Sequence, residues 1–194
     1  MAGKREFLRP FASVFGAGDR NRPISSTLKE KLAAKMPDPI LSLLESDGIA
    51  TYRDDALRTL NPVDWQDLVA NWTDKFPDAL PFAMTSFGDF YFWADRAVWV
   101  CFVQYARIKF CMESADSFLN DFLTDPRYLK DLALFERNKK ARAAVGTRSN
   151  SEIYTWEPAF ALGGSPDTSA IGKGNARVAL KLLSQLQPAV VQDI

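Results

Sequence analysis

Histidine is absent from the 194-residue sequence, and this absence excludes several common kinds of functional site. A Ser-His-Asp or Cys-His triad needs an imidazole as general base, and many metal centres need one as a ligand. Only two cysteines are present, too few for a four-cysteine zinc or iron–sulfur site within one chain. Any catalysis would have to use carboxylates, lysine, tyrosine or cysteine, so the composition favours a binding function.

Long hydrophobic runs are also missing. The longest run, Ala97–Val103, has seven residues, whereas a membrane-spanning helix needs about 20. The N-terminus has no apolar segment ahead of a cleavage site, so it does not resemble a secretory signal. We therefore expect no membrane contact and a cytoplasmic location, where Cys101 and Cys111 stay reduced. The β-branched and aromatic residues of the run predict a strand buried on both faces, with Cys101 as a small core residue.

The charge is balanced overall, with 24 basic and 24 acidic residues, but it is unevenly distributed. Residues 36–95 contain three basic and eleven acidic residues, a net charge of −8. Nucleic-acid binding needs clustered lysine and arginine, and the aromatic residues between Phe87 and Trp99 have almost no basic residues among them. We expect no nucleic-acid partner, and the acidic block suits a basic protein partner.

The chain length fits one domain that can bury about 70% of its unfolded surface. Four apolar runs with tight connections predict strands at Pro81–Thr85, Phe90–Trp93, Ala97–Tyr105 and Arg107–Cys111. Such short connections join antiparallel neighbours, because a parallel crossover needs a dozen or more residues. Capped helical segments precede and follow these runs. The sequence therefore predicts a single α+β domain, an antiparallel β-meander flanked by N-terminal and C-terminal helices.

The predicted domain covers residues 25–187. Residues 1–24 show no sustained periodicity and are predicted to be a flexible arm, and residues 188–194 a C-terminal tail. Within the domain, Asp54 and Asp55 are predicted to form a turn between two short strands. Gly172-Lys-Gly174 is predicted to be a loop, and residues 156–166 are predicted to be rich in turns. The residues predicted to form the core of the tryptophan helix and the central strand are Trp65, Leu68, Trp72, Val100 and Phe102.

Three carboxylate pairs are possible general acid–base groups: Asp54/Asp55, Glu152/Glu157 and Asp89/Asp95. Such chemistry needs one buried carboxylate with a raised pKa beside one that stays ionised. Nothing in the sequence buries either member of any pair, so we predict no catalytic residue. Gly172-Lys-Gly174 lacks the spacing of a phosphate-binding loop, and we predict neither a cofactor nor a metal.

Four motifs in series resemble the GAD-like domain family. They are Phe87-Gly-Asp-Phe-Tyr-Phe-Trp93, Val103-Gln-Tyr-Ala-Arg107, Glu152-Ile-Tyr154 and Glu157-Pro-Ala-Phe-Ala-Leu-Gly-Gly164. The resemblance covers about residues 25–187 and implies an α+β fold. It also implies an immunity protein that binds a toxic nuclease, typically a DNase, delivered by the type VI secretion system. One residue departs from the pattern: Ile153 stands where relatives are expected to have cysteine, so no role of that cysteine applies here.

The expected partner is therefore a cognate nuclease toxin, with the oligomeric state left open. We predict six partner-binding residues, with the two in the acidic turn as the best candidates: Asp54, Asp55, Asp89, Glu152, Tyr154 and Glu157. The alternatives are a regulatory small-ligand-binding module and a carboxylate-based enzyme. A ligand module should have a closed apolar pocket and an enzyme a cleft with perturbed carboxylates, whereas an immunity protein should have neither.

Overall fold

The computed structural model describes residues 8–132, 134–167 and 169–192, without the side chains of Arg20 and Asn21. Its main feature is an eight-stranded sheet in which neighbours follow the order β1-β2-β3-β4-β5-β6-β7-β10. The strands are β1 (Asp19–Arg22), β2 (Ile49–Tyr52), β3 (Leu57–Thr59), β4 (Leu80–Thr85), β5 (Phe90–Ala94), β6 (Ala97–Phe102), β7 (Arg107–Met112) and β10 (Val190–Gln192). Pairing is antiparallel from β1 to β7, and β10 adds in parallel to β7. A separate hairpin pairs β8 (Glu152–Glu157) with β9 (Ala170–Asn175).

Helices precede, interrupt and follow the strands. They are α1 (Arg9–Phe15), α2 (Ser26–Ala33), α3 (Asp38–Asp47), α4 (Asp67–Ala70), α5 (Ala115–Ser117), α6 (Pro126–Asp131), α7 (Leu134–Val145) and α8 (Ala176–Leu186). A π-helical turn, Phe118–Phe122, continues α5, and a 3₁₀ turn, Phe160–Leu162, follows β8. The predicted caps are present: Ser25 accepts a hydrogen bond from the Leu28 N–H at 3.1 Å, and Asp125 one from the Arg127 N–H at 2.7 Å.

The predicted α+β class and antiparallel meander are confirmed. The four central strands lie within three residues of their predicted bounds. β4, β5 and β6 are apolar on both faces, and β7 alternates between exposed and buried residues, so each has a clear strand pattern. Successive residues of a strand point to opposite faces. Tyr91 accordingly packs in one core, while Phe90 and Phe92 pack in another.

Two cores therefore sandwich the sheet. The helical core joins α1–α3 and the segment 115–134 to one face, with Phe11, Leu44, Tyr91, Val100 and Phe118 buried in it. The tryptophan core joins the segment 60–79 and α8 to the other face, with Trp72, Phe92, Trp99, Ile108 and Leu180 buried. A smaller cluster beneath the β8–β9 hairpin contains Phe87, Ala141, Tyr154 and Trp156. The sheet is thus covered on both sides.

Both chain ends differ from the prediction. The expected flexible arm is wrong for residues 8–24, because α1 buries Phe11 and Phe15 at 2% exposure each and β1 pairs with β2. Residues 1–7 lie outside the described residues. The expected tail includes β10, which pairs with β7, and residues 193–194 lie outside the described part of the chain. The core and the sheet thus extend past the predicted domain bounds at each end.

Two further elements differ. The tryptophan segment forms only the short helix α4 with turns around it, although Leu68 and Trp72 are buried as predicted. Gly172-Lys-Gly174 lies in β9 and is not a loop. Glycine-rich segments have little strand propensity, so β9 depends on its pairing with β8 across six residue pairs.

Candidate functional site

The acidic turn between β2 and β3 is docked onto the second half of the chain. Its residues Arg53, Asp54 and Asp55 all have positive φ, at 47°, 58° and 65°. The Asp54 carbonyl accepts hydrogen bonds from Asn138 Nδ2 at 2.7 Å and Arg142 Nη1 at 2.9 Å, both on α7. Left-handed backbone is unfavourable for residues other than glycine, so these contacts help to hold the turn in place.

Asp55 is buried, so its side chain offers little surface to a partner. It is 6% exposed and lies beside two buried arginines, Arg58 and Arg148, which are 4% and 3% exposed. Arg148 Nη2 donates to the Asp55 carbonyl at 2.6 Å, and Arg58 Nη1 donates to the Glu152 carbonyl at 3.3 Å. Burial and the charge of Arg148 together lower the pKa of Arg58 to about 9, and the charge of Asp55 opposes this shift. Asp55 therefore belongs to a buried charge cluster.

Asp54, in contrast, remains available to solvent. Its side chain is 77% exposed, and its Oδ1 lies 3.8 Å from Arg142 Nη2. An exposed pair at that distance contributes little to stability, so the carboxylate can be used elsewhere.

Tyr154 is also buried and offers little surface to a partner. It is 1% exposed, its hydroxyl donates to the Gly146 carbonyl at 2.9 Å, and its ring centroid lies 5.6 Å from that of Phe87. Glu152 is half-buried, and its Oε2 accepts from the Ser149 N–H at 2.7 Å, which lowers its pKa. Both residues help to form the hairpin on which the turn rests.

The remaining carboxylate pairs are separated by their strands. Glu152 and Glu157 occupy opposite ends of β8, and Asp89 and Asp95 flank opposite ends of β5. Glu157 is exposed, with its Oε1 accepting from Thr155 Oγ1 at 3.1 Å. Neither pair brings two carboxylates together.

Asp89 lines a cleft of about 410 Å³ between β6–β7 and helices α6 and α7. It follows Gly88, whose φ of +91° completes the turn from β4 into β5. The Asp89 Oδ1 accepts a hydrogen bond from the Val103 N–H at 2.9 Å. This is the Asp89 cleft.

The cleft combines aromatic rings with cationic side chains. Phe102, Phe122 and Tyr128 contribute rings. Alternation along β7 brings Arg107 and Lys109 to the same cleft, and α7 adds Arg137. The sequence shows the charged alternation of β7, but it does not show that α7 lies opposite.

The environment of Asp89 is unusual for a carboxylate. Burial raises its pKa to about 6, while the Val103 N–H and the charge of Arg137 oppose this shift. Because the carboxyl binds its proton more tightly in the folded state, its ionisation destabilises the fold above about pH 6. The cleft and this carboxylate depart from the expectation that an immunity protein has neither.

Replacing Asp89 with asparagine should therefore stabilise the protein at pH 8, by about 1–3 kcal/mol. Asparagine keeps an oxygen for the Val103 N–H and removes the buried charge. The gain should disappear as the pH falls from 6 to 4, where Asp89 itself becomes protonated. Urea unfolding at pH 8 and pH 4.5 measures both values, with Asp95→Asn at the exposed end of β5 as the control. An equal loss of stability at both pH values would contradict this account.

Among the described residues, no group of three or more cysteine, aspartate or glutamate side chains is placed to hold a metal ion. No described helix is long and apolar enough to cross a bilayer.

Two protein-family models match different parts of the chain. A family model described as the GAD-like domain matches residues 6–104, just over half of the chain. The chain belongs to the GAD-like domain family. This confirms the resemblance found in the sequence motifs. A second model, described as T6SS immunity protein Tdi1, C-terminal, matches residues 112–187 of this GAD-like protein.

A solved structure shares the fold of this GAD-like protein. It is Atu4351 from Agrobacterium tumefaciens, which superposes with a TM-score of 0.73 at 13% identity, covering 95% of this chain and 91% of that one. No protein with a curated description matches the sequence.

The two family matches meet inside one structural unit. The GAD-like match ends at Gln104 and the second begins at Met112, so β7 lies between them. The helical core contains residues of both segments, such as Tyr91 and Phe118, and so does the tryptophan core, with Trp72 and Leu180. Neither segment has a complete core without the other.

Proposed function

We propose that this GAD-like protein is a T6SS immunity protein that binds and inhibits a cognate effector, a DNase, in the cytoplasm of the cell that produces it. The match of residues 112–187 to the T6SS immunity protein Tdi1 carries the proposal. That role is one of binding and not of catalysis. The DNase target rests on the charge of the surface.

A group of exposed carboxylates lies on the segment 61–79 that covers the tryptophan core. Its apolar residues Leu68, Trp72 and Phe76 are buried. Its carboxylates Asp64, Asp67, Asp74 and Asp78 are all exposed, although Asp67 pairs with Arg177 at 3.3 Å. Asp78 shares a surface pocket with Asp95 and Lys35. We call these five aspartates the acidic face.

A basic nuclease groove is a complementary partner for the acidic face. A nuclease neutralises DNA phosphates with lysine and arginine, so an inhibitor that presents carboxylates can occupy the same groove. Charges at the edge of an interface mainly increase the association rate and make it sensitive to salt. Of the six predicted partner-binding residues, Asp54 and Glu157 are exposed.

Co-expression tests the proposal directly. The toxin encoded next to this protein should arrest growth when expressed alone, and the protein should restore growth and co-purify with the toxin. Purified toxin should degrade plasmid DNA, and an equimolar amount of this protein should stop the degradation. Failure to protect cells or to form a complex would refute the immunity role, and inhibition of a toxin with no DNase activity would refute the target.

Charge reversal tests the acidic face separately. The double variant Asp74→Lys, Asp78→Lys should fold normally but associate with the toxin about tenfold more slowly at low salt. The dependence of the rate on salt should also become flatter. The matched control is Glu30→Lys, Asp121→Lys, which reverses two exposed charges on elements that cover the opposite face of the sheet. Stopped-flow rates that are equal for the two variants would place the contact elsewhere.

A further inference from the structure

We propose that the Asp89 cleft binds a small aromatic anion, meaning a molecule with a planar ring and a phosphate or carboxylate group. The site is separate from the acidic face, and the proposal goes beyond the immunity function. It rests on the size of the cleft, its rings and the three cations that line it.

The size of the cleft suits a small molecule. Its volume of about 410 Å³ lies within the range of about 300–1,000 Å³ that is usual for ligand pockets. Such pockets combine an apolar lining with a few converging polar groups, and Asp89 and the cations supply those groups here.

The aromatic side chains provide surfaces for a planar ring. Phe122 and Tyr128 lie against one another with ring centroids 4.2 Å apart, and the Tyr128 hydroxyl lies 3.1 Å from that of Tyr91. These contacts fix the position of Tyr128. Phe102 faces the same space from β6. A planar ligand can therefore stack against rings that are already held in place.

Three cations give the cleft its preference for an anion. Arg107 and Lys109 project from β7 and Arg137 from α7. Within the described part of the chain, none of the three has an ion pair within 4.0 Å. Two carboxylates, Asp89 and Asp131, also line the space, which leaves one positive charge in excess. A phosphate or carboxylate would pair with these cations, and the arginines can each make two hydrogen bonds to it.

Asp89 gives the site a directional acceptor. One of its oxygens accepts from Val103, which leaves capacity for a donor on the ligand, such as a ring amine. Burial raises the pKa of Asp89, and carboxylates with such shifts concentrate at functional sites.

Calorimetry with four probes tests the proposal on the protein without any effector. AMP represents an aromatic phosphate, indole-3-acetate an aromatic carboxylate, inorganic phosphate an anion without a ring, and adenosine a ring without an anion. At least one of the first two should bind with a Kd of about 1 mM or below, and both single-feature probes about tenfold more weakly. If neither aromatic anion binds, or if inorganic phosphate binds equally well, the proposal is wrong.

Variants then locate the site. Lys109→Gln and Arg137→Gln should each weaken binding of the aromatic anion about tenfold, because each removes one charge from the cleft. Lys181→Gln removes an exposed charge on α8, outside the cleft, and should leave the Kd unchanged. Circular dichroism confirms that each variant folds. Equal affinities in all three variants would show that the anion binds elsewhere and would overturn the assignment.

Discussion

Changing Asp55 to lysine should destabilise the protein by about 3–5 kcal/mol, whereas the same change at Asp54 should cost about 1 kcal/mol or less. Both residues have left-handed backbone, with φ of 65° and 58°, so lysine meets the same local strain at each. Asp55 is buried beside Arg58 and Arg148, and lysine there would place a third buried cation against them. Asp54 is exposed, and its carbonyl contacts to α7 do not depend on the side chain.

Chemical unfolding of the two variants side by side measures the difference. Asp55→Asn is a milder companion that keeps the shape of the side chain and should lie between the wild type and Asp55→Lys. If Asp55→Lys unfolds at the same denaturant concentration as Asp54→Lys, the buried charge cluster is wrongly described. The result also bears on toxin binding, because only Asp54 can then be tested as an interface residue.

Truncating Trp72 to alanine should cost about 3–5 kcal/mol, and truncating Trp65 clearly less. The two residues lie seven positions apart on one segment. Trp72 is 4% exposed in the tryptophan core, where its loss would leave a cavity beneath the sheet. Trp65 only packs against the edge of that core, and its ring lies 4.3 Å from the guanidinium carbon of Arg177.

Thermal and urea unfolding of both variants tests this difference. Cells that produce Trp72→Ala should lose protection against the toxin because the variant unfolds. At temperatures low enough for the variant to fold, it should bind the toxin again. Trp72→Phe should restore part of the stability, since it refills most of the space. An unchanged melting temperature for Trp72→Ala would mean that the segment 61–79 does not cover the core.

The central strands were predictable because their own sequences indicate a buried strand without information from the rest of the chain. Runs such as Ala97–Val103 are apolar at every position, so they must lie inside a sheet covered on both faces. The β8–β9 hairpin and β10 were not predictable in this way. Glycine-rich β9 and the short β10 are strands only because another strand lies beside them, and pairing of that kind is set by the whole fold.

The candidate site was predictable only in part. The sequence motif around Asp89 indicated a turn. The burial of the Asp89 side chain depends on α7, however, which is more than 40 residues away in sequence. The acidic turn was misjudged for a similar reason. A polar turn is ordinarily solvated. Here, however, Arg148 donates a hydrogen bond to the Asp55 carbonyl from 93 residues further along the chain. Local patterns carry no information about such distant partners.

The docked turn limits how relatives of this protein can exchange their parts. Asp54 and Asp55 belong to the segment that matches the GAD-like family, while their partners Asn138, Arg142 and Arg148 belong to the segment that matches the Tdi1 immunity protein. A chimaera joined at Tyr105 must bring compatible residues on both sides, or the carbonyls of Asp54 and Asp55 lose the side-chain donors that pair with them. New partner specificity should therefore evolve more readily by substitutions on the exposed surface than by recombination between the two halves.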